Sequence, residues 1–144
     1  MEIITRQVKD KPLTVTVEYP EYNDTVTLLL KKIGSVDCGF NANDEGRQLK
    51  IALSDAYYIE NVERKLFIYT AKDVYRLNYS MAELEEMTAD TELIRISRTC
   101  IMNTEHLKEI RQLKNSRLEA VLDNDEILIV SRKYLKDIKR AFQK

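Results

Sequence analysis

Residues 49–78 read LKIALSDAYYIENVERKLFIYTAKDVYRLN, and their pattern indicates the fold class more clearly than any other part of the chain. It holds four short runs rich in apolar and aromatic residues, at 49–53, 56–60, 66–70 and 74–78. Short apolar runs of this length, with alternation where one face is buried, are typical of β-strands. Short polar connections separate the runs, and Lys72-Asp73 favours a hairpin. Since no crossover helix stands between the runs, they are expected to pair as antiparallel neighbours.

The rest of the chain towards the C-terminus also consists mainly of short strand-like runs. Five further short extended runs follow, at 94–96, 99–102, 107–113, 117–122 and 126–130. Ser80 and Glu83 have capping-box spacing, which predicts a helix that starts between the two groups of strands. Ser131 is expected to cap a final helix with one apolar face turned inward, formed by Tyr134, Leu135, Ile138 and Phe142. The prediction is therefore a mainly β protein, a β-rich α+β fold of antiparallel sheets with a C-terminal helix.

The first forty residues predict a small separate unit of strand, strand and helix. Residues 2–8 are short and apolar-rich, and residues 13–19 alternate with period two until Pro20 ends them. Asn23 or Asp24 can cap a helix, which Gly34 is expected to stop. Turn formers and small polar residues cluster at 38–47, so a hinge is expected there. The predicted organisation is an N-terminal unit over 1–40 and a main domain over 46–144.

Composition narrows the class of protein. Hydrophobic residues make up 44% of the 144 residues and charged residues 33%, the balance of a globular rather than a disordered chain. No apolar run approaches the ~20 residues of a membrane-spanning helix, and the N-terminus lacks signal-peptide features, so a cytoplasmic protein is expected. Cys38 and Cys100 have no neighbouring His or second Cys, which favours reduced, packing cysteines.

The sequence offers no reactive constellation. His106 is the single histidine, and neither a serine or cysteine triad nor a zinc site can be assembled around it from spacing. Three glycines in the whole chain exclude a phosphate-binding loop or a dinucleotide fingerprint. Carboxylates such as Glu83, Glu85 and Glu86 are expected to lie on a solvated helix face. The prediction is a protein that is not an enzyme and that needs no cofactor or metal.

Charge is distributed unevenly along the chain. Residues 95–144 carry 12 Lys and Arg against 7 Asp and Glu, so this part has a net charge of +5 while the whole chain has −1. A basic half of this kind often binds a polyanion, although a solvated surface of mixed charge gives the same count. Basic residues also sit at three predicted junctions between elements: Arg64 with Lys65, Arg98, and Arg132 with Lys133. Arginines at such places can act as forked donors to guanine edges or phosphates.

Three blocks of the sequence resemble one known family. Residues 57–60 with 67–70 (YYIE and FIYT) are similar to the opening of LytTR domains. Residues 94–103 (IRISRTCIMN) resemble the central block of that family, and residues 127–134 (ILIVSRKY) resemble its closing block. The three blocks occur in the family's order and cover the chain from about residue 46 to 144. On this basis the main domain resembles a stand-alone LytTR transcription regulator without a receiver domain.

The resemblance implies sequence-specific binding of double-stranded promoter DNA through inter-strand loops. In the family these loops enter successive major grooves from one side and bend the duplex. Carried over by position, the first contact falls on Arg64, Lys65 and Leu66, the central one on Arg98, and the last on Arg132 with Lys133. Three positions depart from the family pattern: Leu66 stands where a polar residue such as His is common, Ser97 stands where His is frequent, and Arg98 replaces a smaller polar residue.

The sequence also indicates partners other than DNA. A homodimer is expected because the predicted first helix offers an apolar face with little local domain to cover it, made of Val26, Leu29, Leu30 and Ile33. By family analogy alone, a small membrane protein is a candidate regulatory partner. A protein-interaction module and an RNA-binding domain remain alternative functions, the second disfavoured because the tyrosines fall mostly at core-like positions.

Overall fold

A computed structural model describes residues 1–114 and 117–142, without the side chains of residues 141 and 142. Within these residues, three helices and ten strands follow one another, with 3-10 turns at Leu53–Asp55, Thr104–His106 and Arg132–Tyr134. In chain order the elements are α1 (Asp24–Val36), β1 (Gly39–Asp44), β2 (Arg47–Ala52), β3 (Tyr58–Val62), β4 (Lys65–Tyr69), β5 (Val74–Leu77), α2 (Met81–Met87), β6 (Leu93–Arg95), β7 (Cys100–Asn103), β8 (Leu107–Gln112), β9 (Leu118–Leu122), β10 (Ile127–Val130) and α3 (Leu135–Phe142).

The strands form two antiparallel sheets, as expected from the sequence. The larger sheet has seven strands in the order β2-β1-β5-β4-β3-β7-β6, and the smaller has three in the order β10-β9-β8. Each strand predicted between residues 49 and 130 is present, with ends displaced by at most two residues. The capping box is also confirmed, since the Glu83 amide donates to Ser80 Oγ at 3.0 Å and the Ser80 amide donates to Glu83 Oε1 at 3.1 Å.

The two faces of the larger sheet bury two separate cores. Ile59, Ile68 and Leu77 point to one face, where Leu84 of α2 covers them. Tyr58 and Met102 point to the other, where the smaller sheet and Ile138 of α3 pack against them. Because successive side chains of a strand point to opposite faces, neighbours such as Tyr58 and Ile59 belong to different cores. The predicted inward position of Phe142 lies outside the described side chains.

The hinge expected at residues 38–47 is wrong. These residues form β1 and its turn into β2, and β1 lies inside the larger sheet between β2 and β5. Phe40 and Ala42 are each only 1% exposed and belong to the first core. Glycine and asparagine around these two residues gave the stretch the composition of a loop. Two inward side chains are nevertheless enough to bury one face of β1, because β2 and β5 pair with it on both sides.

The two strands expected before the first helix are also wrong. Residues 2–8 and 13–19 form no strand, and none of the described residues provides a ladder partner for them. Their apolar side chains stay in solvent, with Ile3 at 79% and Leu13 at 93% exposure. A strand exists only when its backbone groups pair with a neighbour, so an alternating pattern alone could not create one.

The first helix begins where the sequence predicted. Asn23 caps α1 by accepting a hydrogen bond from the Val26 amide at 3.1 Å. The helix passes through Gly34 and ends at Val36, so the expected stop at Gly34 is wrong. Gly34 is required for another reason: a Cβ there would lie 2.4 Å from the carbonyl oxygen of Asp90. The expected open face is largely covered, because Val26 is 7% exposed and Leu29, Leu30 and Ile33 are half-buried.

Candidate nucleic-acid interface

The turn between β3 and β4 presents two of the predicted contact residues. Val62 pairs with Lys65, which leaves Glu63 and Arg64 as the two turn residues. Both have left-handed backbones, with φ of 52° and 68°, the conformation of a tight hairpin turn that Asn and Gly favour. A side chain in this region costs roughly 1–2 kcal/mol per residue. The turn holds the exposed Arg64 and Lys65 at the tip of a rigid hairpin.

Leu66 does not contribute to this surface. It pairs with Asn61 and Leu77 across the sheet and is 4% exposed, inside the first core. Since Lys65 and Leu66 are neighbours on a strand, one points outward when the other points inward. The mapping of a contact onto Leu66 is therefore wrong.

The connection between β6 and β7 carries Arg98. The strands close with a hydrogen bond from the Ile96 amide to the Cys100 carbonyl at 3.0 Å. Within the loop the Thr99 amide donates to Ser97 Oγ at 3.3 Å. Ile96 and Cys100 are buried at the base of the loop, whereas the Arg98 side chain is exposed. The loop is thus anchored at both ends and offers one basic side chain to solvent.

Arg95 holds the β6–β7 loop through hydrogen bonds to its backbone. Its Nε donates to the Ser97 carbonyl at 3.0 Å, and a second guanidinium nitrogen donates to the Arg98 carbonyl. Glu85 of α2 forms an ion pair with the same guanidinium. A planar group with several fixed donors is suited to hold two carbonyls and a carboxylate at once. Arg95 carried no functional signal in the sequence beyond its charge; its place inside a short apolar strand, flanked by Ile94 and Ile96, was the available clue.

The junction between β10 and α3 carries Arg132 and Lys133. Ser131 occupies the N-cap position of the 3-10 turn Arg132–Tyr134, but its side chain makes no capping hydrogen bond. The predicted cap is therefore wrong, and α3 itself begins at Leu135. Both basic side chains are exposed, and Lys133 Nζ lies 5.7 Å from the centre of the Tyr134 ring. A short turn rather than a helix start presents these two residues.

Backbone hydrogen bonds bring the three junctions to one end of the molecule. The Asn61 amide, next to the β3–β4 turn, donates to the Thr99 carbonyl in the β6–β7 loop at 2.8 Å. The Ser131 amide donates to the Ile96 carbonyl at the base of the same loop, also at 2.8 Å. The Arg98 loop thus stands between the other two. We call the exposed basic side chains of this end the loop surface; they are Arg64, Lys65, Arg98, Arg132 and Lys133.

The two cysteines and the possible metal ligands of the described residues show no reactive arrangement. Burial raises the pKa of the Cys100 thiol to about 12, with the Glu60 carboxylate adding to the effect, and burial also raises the pKa of Cys38. Both cysteines are free. Thiols of this kind are poor nucleophiles at neutral pH. Within residues 1–114 and 117–142, no three His, Cys, Asp or Glu side chains gather as metal ligands would.

The same described ranges contain no helix with the length and apolar composition needed to cross a membrane. The longest helix, α1, has 13 residues and includes Lys31 and Lys32. About 20 apolar residues are needed to span the hydrocarbon core of a bilayer.

Comparison with protein families gives one match that covers most of the chain. Residues 46–143 match the family model described as the LytTr DNA-binding domain. Two curated relatives illustrate the similarity. A sensory transduction protein LytT from Enterococcus faecalis is 30% identical over 95 residues, and a transcriptional regulatory protein LytR from Staphylococcus aureus is 33% identical over 74 residues.

These relatives are considerably longer than the shared region. The alignments cover 66% and 51% of this chain, but only 39% of the Enterococcus protein and 30% of the Staphylococcus protein. Among solved structures, a LytTr DNA-binding domain of a methyl-accepting/DNA response regulator from Bacillus cereus superimposes with a TM-score of 0.68 at 21% identity. That superposition covers 75% of this chain and 99% of the other, so the two share a fold.

Proposed function

This chain belongs to the LytTR DNA-binding domain family, and from that premise we propose that it is a transcription regulator that binds promoter DNA through the loop surface. One observation supports the assignment of the site more than any other. Three junctions that are far apart in sequence meet at one end of the sheets, and each carries exposed basic side chains. Loops on a rigid scaffold are a common way to position groups that contact a ligand.

The individual roles follow from side-chain chemistry. Arg64, Arg98 and Arg132 have planar guanidinium groups, which can donate two hydrogen bonds to O6 and N7 of guanine or hold a phosphate. Lys65 and Lys133 carry compact charges that suit phosphate oxygens. We assign the arginines to base edges and the lysines to the backbone. Arg95 is a positioning residue, because it acts on the DNA only through the loop that carries Arg98.

The proposal also includes the assembly and the compartment. A protein with a two-fold axis would present two loop surfaces to repeated half-sites on one duplex, which doubles the contacts without new side chains. The exposed apolar residues in the first 23 positions support a homodimer. Because DNA is the proposed ligand, the proposed compartment is the cytoplasm. Its proposed role is to bind and not to catalyse.

Binding to the DNA upstream of its own coding sequence, measured at several salt concentrations, tests the function. We expect preference over a random duplex of equal length, and a slope of log affinity against log salt of roughly −0.9 for each phosphate contacted. Equal affinity for both duplexes at moderate salt would argue against sequence-specific regulation.

Single substitutions test the site separately from the function. Arg98→Ala and Arg132→Ala are each expected to weaken specific binding by about 1–3 kcal/mol if the arginine contacts a base edge. Arg47→Ala is the matched control, because Arg47 lies next to the β1–β2 turn at the opposite end of the larger sheet. Wild-type affinity in both loop variants would show that the DNA lies elsewhere on the domain.

A further inference from the structure

Residues 13–19 (LTVTVEY) form an irregular segment that the rest of the described chain leaves unpaired. Leu13 is 93% exposed, Val15 58% and Tyr19 47%, while Val17 is half-buried. No backbone hydrogen bond links the segment to another described residue. Exposed β-branched and aromatic residues with free backbone groups are a template for pairing with another strand.

The segment has the composition of a strand with one apolar and one polar face. Leu13, Val15, Val17 and Tyr19 fall on one side of an extended chain, and Thr14, Thr16 and Glu18 fall on the other. Pro12 and Pro20 flank it on both sides. Because proline fixes its own φ and restricts the residue before it, the two prolines mark the ends of the seven-residue segment between them.

We propose that two copies of this chain associate by antiparallel pairing of residues 13–19 around a two-fold axis at Thr16. In this register Leu13 faces Tyr19 of the second copy, Thr14 faces Glu18, and Val15 faces Val17. Apolar residues of one copy face apolar residues of the other, and polar residues face polar ones. Eight apolar side chains therefore gather on one side of the ribbon. We call this two-stranded ribbon the N-terminal ribbon.

Charge and proline positions favour this register over its neighbours. Beyond the ribbon, Lys11 of one copy faces Glu21 of the other at both ends, which pairs opposite charges. A shift of the axis to Val15 places Glu18 opposite Pro12, and a shift to Val17 places the Glu21 carboxylate opposite Leu13. A shift by half a step sets Val15 against a polar residue and mixes the two faces. The register centred on Thr16 avoids all three conflicts.

The second copy is the occupant that these observations favour. The segment is complementary to itself, which is what a two-fold interface requires of a single surface. A two-stranded ribbon is marginal without a covered apolar face. Each copy supplies further exposed apolar residues close by in sequence, Ile3 at 79%, Ile4 at 76% and Val8 at 45%. These residues are available to pack on the ribbon.

Disulfide trapping tests the register directly. With Cys38→Ala as background, Thr16→Cys places two thiols on the two-fold axis, where facing Cα atoms lie about 4.5–5.5 Å apart, within disulfide range. We expect a covalent dimer under mild oxidation. Thr14→Cys is the matched control: its two copies lie four residues apart along the strand, roughly 13 Å, too far for a disulfide. The double variant Thr14→Cys with Glu18→Cys should form the dimer again.

Equal trapping of Thr14→Cys and Thr16→Cys, or none at Thr16, would overturn the register. A second measurement tests the pairing without cysteine. Val15→Pro removes a ladder donor inside the ribbon, and sedimentation at micromolar concentration should then give the monomer mass. Lys9→Pro lies outside the ribbon and should keep the dimer. Neither position contributes to the buried cores, so both variants should remain folded.

This inference rests on the homodimer of the proposed function, and the outcomes separate the two. A wild-type chain that is monomeric at micromolar concentration contradicts both. A Val15→Pro chain that remains dimeric contradicts the N-terminal ribbon alone and leaves the homodimer standing. Sequence preference in DNA binding is read from a different assay and depends on neither result.

Discussion

His106 Nδ1 lies 3.0 Å from Asp123 Oδ2, which joins the turn after β7 to the β9–β10 hairpin. The other ring nitrogen, Nε2, lies 2.7 Å from the Ser54 carbonyl oxygen, and the Tyr57 ring stacks on the imidazole with the centres 4.0 Å apart. The single histidine thus connects the smaller sheet to the segment between β2 and β3. It is a structural residue in this fold.

Acid should weaken this connection. Burial acts to raise the pKa of Asp123, but hydrogen bonds from His106 and Tyr57 outweigh it, so the pKa lies below its ordinary value. A carboxylate with a lowered pKa contributes stability above its unfolded pKa of about 3.9, and loses it as the pH falls through the folded value. Asp123→Asn should therefore destabilise the protein at pH 7 by less than about 1 kcal/mol, since the group is half exposed.

Urea unfolding of both forms across pH checks this expectation. The difference between wild type and Asp123→Asn should shrink as the pH falls below 4. A difference that stays constant down to pH 2 would mean that the ionised carboxylate contributes nothing.

Asn103→Leu should destabilise the fold strongly. Asn103 is fully buried, and its Nδ2 donates to the carbonyls of Leu53 and Ala56 at 3.0 and 2.7 Å. Leucine has a similar size but removes this donor; the Leu53 carbonyl keeps the Ala56 amide, whereas the Ala56 carbonyl loses its donor, at a cost of about 1–3 kcal/mol. Asn43→Leu, on an exposed position of β1, should change the free energy of unfolding by no more than about 0.5 kcal/mol. Equal effects of the two substitutions would contradict a role for the buried amide.

Arg95→Lys should weaken DNA binding although the charge is kept. Lysine cannot hold the carbonyls of Ser97 and Arg98 together with the Glu85 carboxylate in one plane. We expect the affinity for the specific duplex to fall roughly tenfold. The slope of log affinity against log salt should change by less than the roughly 0.9 expected for the loss of one phosphate contact, since no such contact is removed. Lys72→Met, in the turn between β4 and β5 at the opposite end of the sheet, is the control. A salt slope that falls by one contact in Arg95→Lys would instead make Arg95 a direct phosphate ligand.

Arg64→Gly should stabilise the protein while it weakens DNA binding. Glycine adopts the left-handed backbone of this turn without steric cost. The free energy of unfolding should therefore rise by roughly 1 kcal/mol, and the melting temperature should rise with it. The loss of the guanidinium should lower the affinity for DNA. Glu63→Gly relieves the same strain at the neighbouring position without removing a basic group, and it should keep the affinity. A fall in melting temperature for both variants would contradict the assigned turn geometry.

Gly34→Ala should reverse the usual ranking of the two residues in a helix. Alanine normally stabilises a helix interior by about 1 kcal/mol relative to glycine. At this position its Cβ would collide with the Asp90 carbonyl, so we expect a net destabilisation of about 1–3 kcal/mol by thermal or urea unfolding. Ser35→Ala is a poor control because Ser35 Oγ accepts from the Glu92 amide, whereas Val36→Ala at an exposed position is suitable. A melting temperature raised by Gly34→Ala would show that α1 and the Asp90 turn are farther apart.

The sequence predicted the local elements better than their partners. Ser80 and Glu83 lie within one turn of each other, so their spacing alone specifies the cap. Phe40 and Ala42 gave too little apolar signal to outweigh the glycine and asparagines around them, and β1 was missed. Residues 13–19 show the opposite case, because their alternation predicted a strand although the described chain offers them no neighbouring strand.

For the candidate site too, the sequence indicated local features but not the contacts between distant segments. The basic side chains could be identified from the sequence, because they stand at junctions between predicted elements. Their common location could not, since it depends on hydrogen bonds between segments such as Asn61 with Thr99 and Ser131 with Ile96. Leu66 was misassigned because the register of β4, which turns it inward, is set by the neighbouring strands.

The hydrogen bonds that join the three junctions also decide which molecule must change shape in the proposed complex. Loops tied to one another through Thr99 and Ile96 have fixed separations before any duplex arrives. The duplex must then supply the bending and twisting that align its grooves with them. Because the stiffness of DNA depends on its base steps, operators would be selected partly by base pairs that no side chain touches.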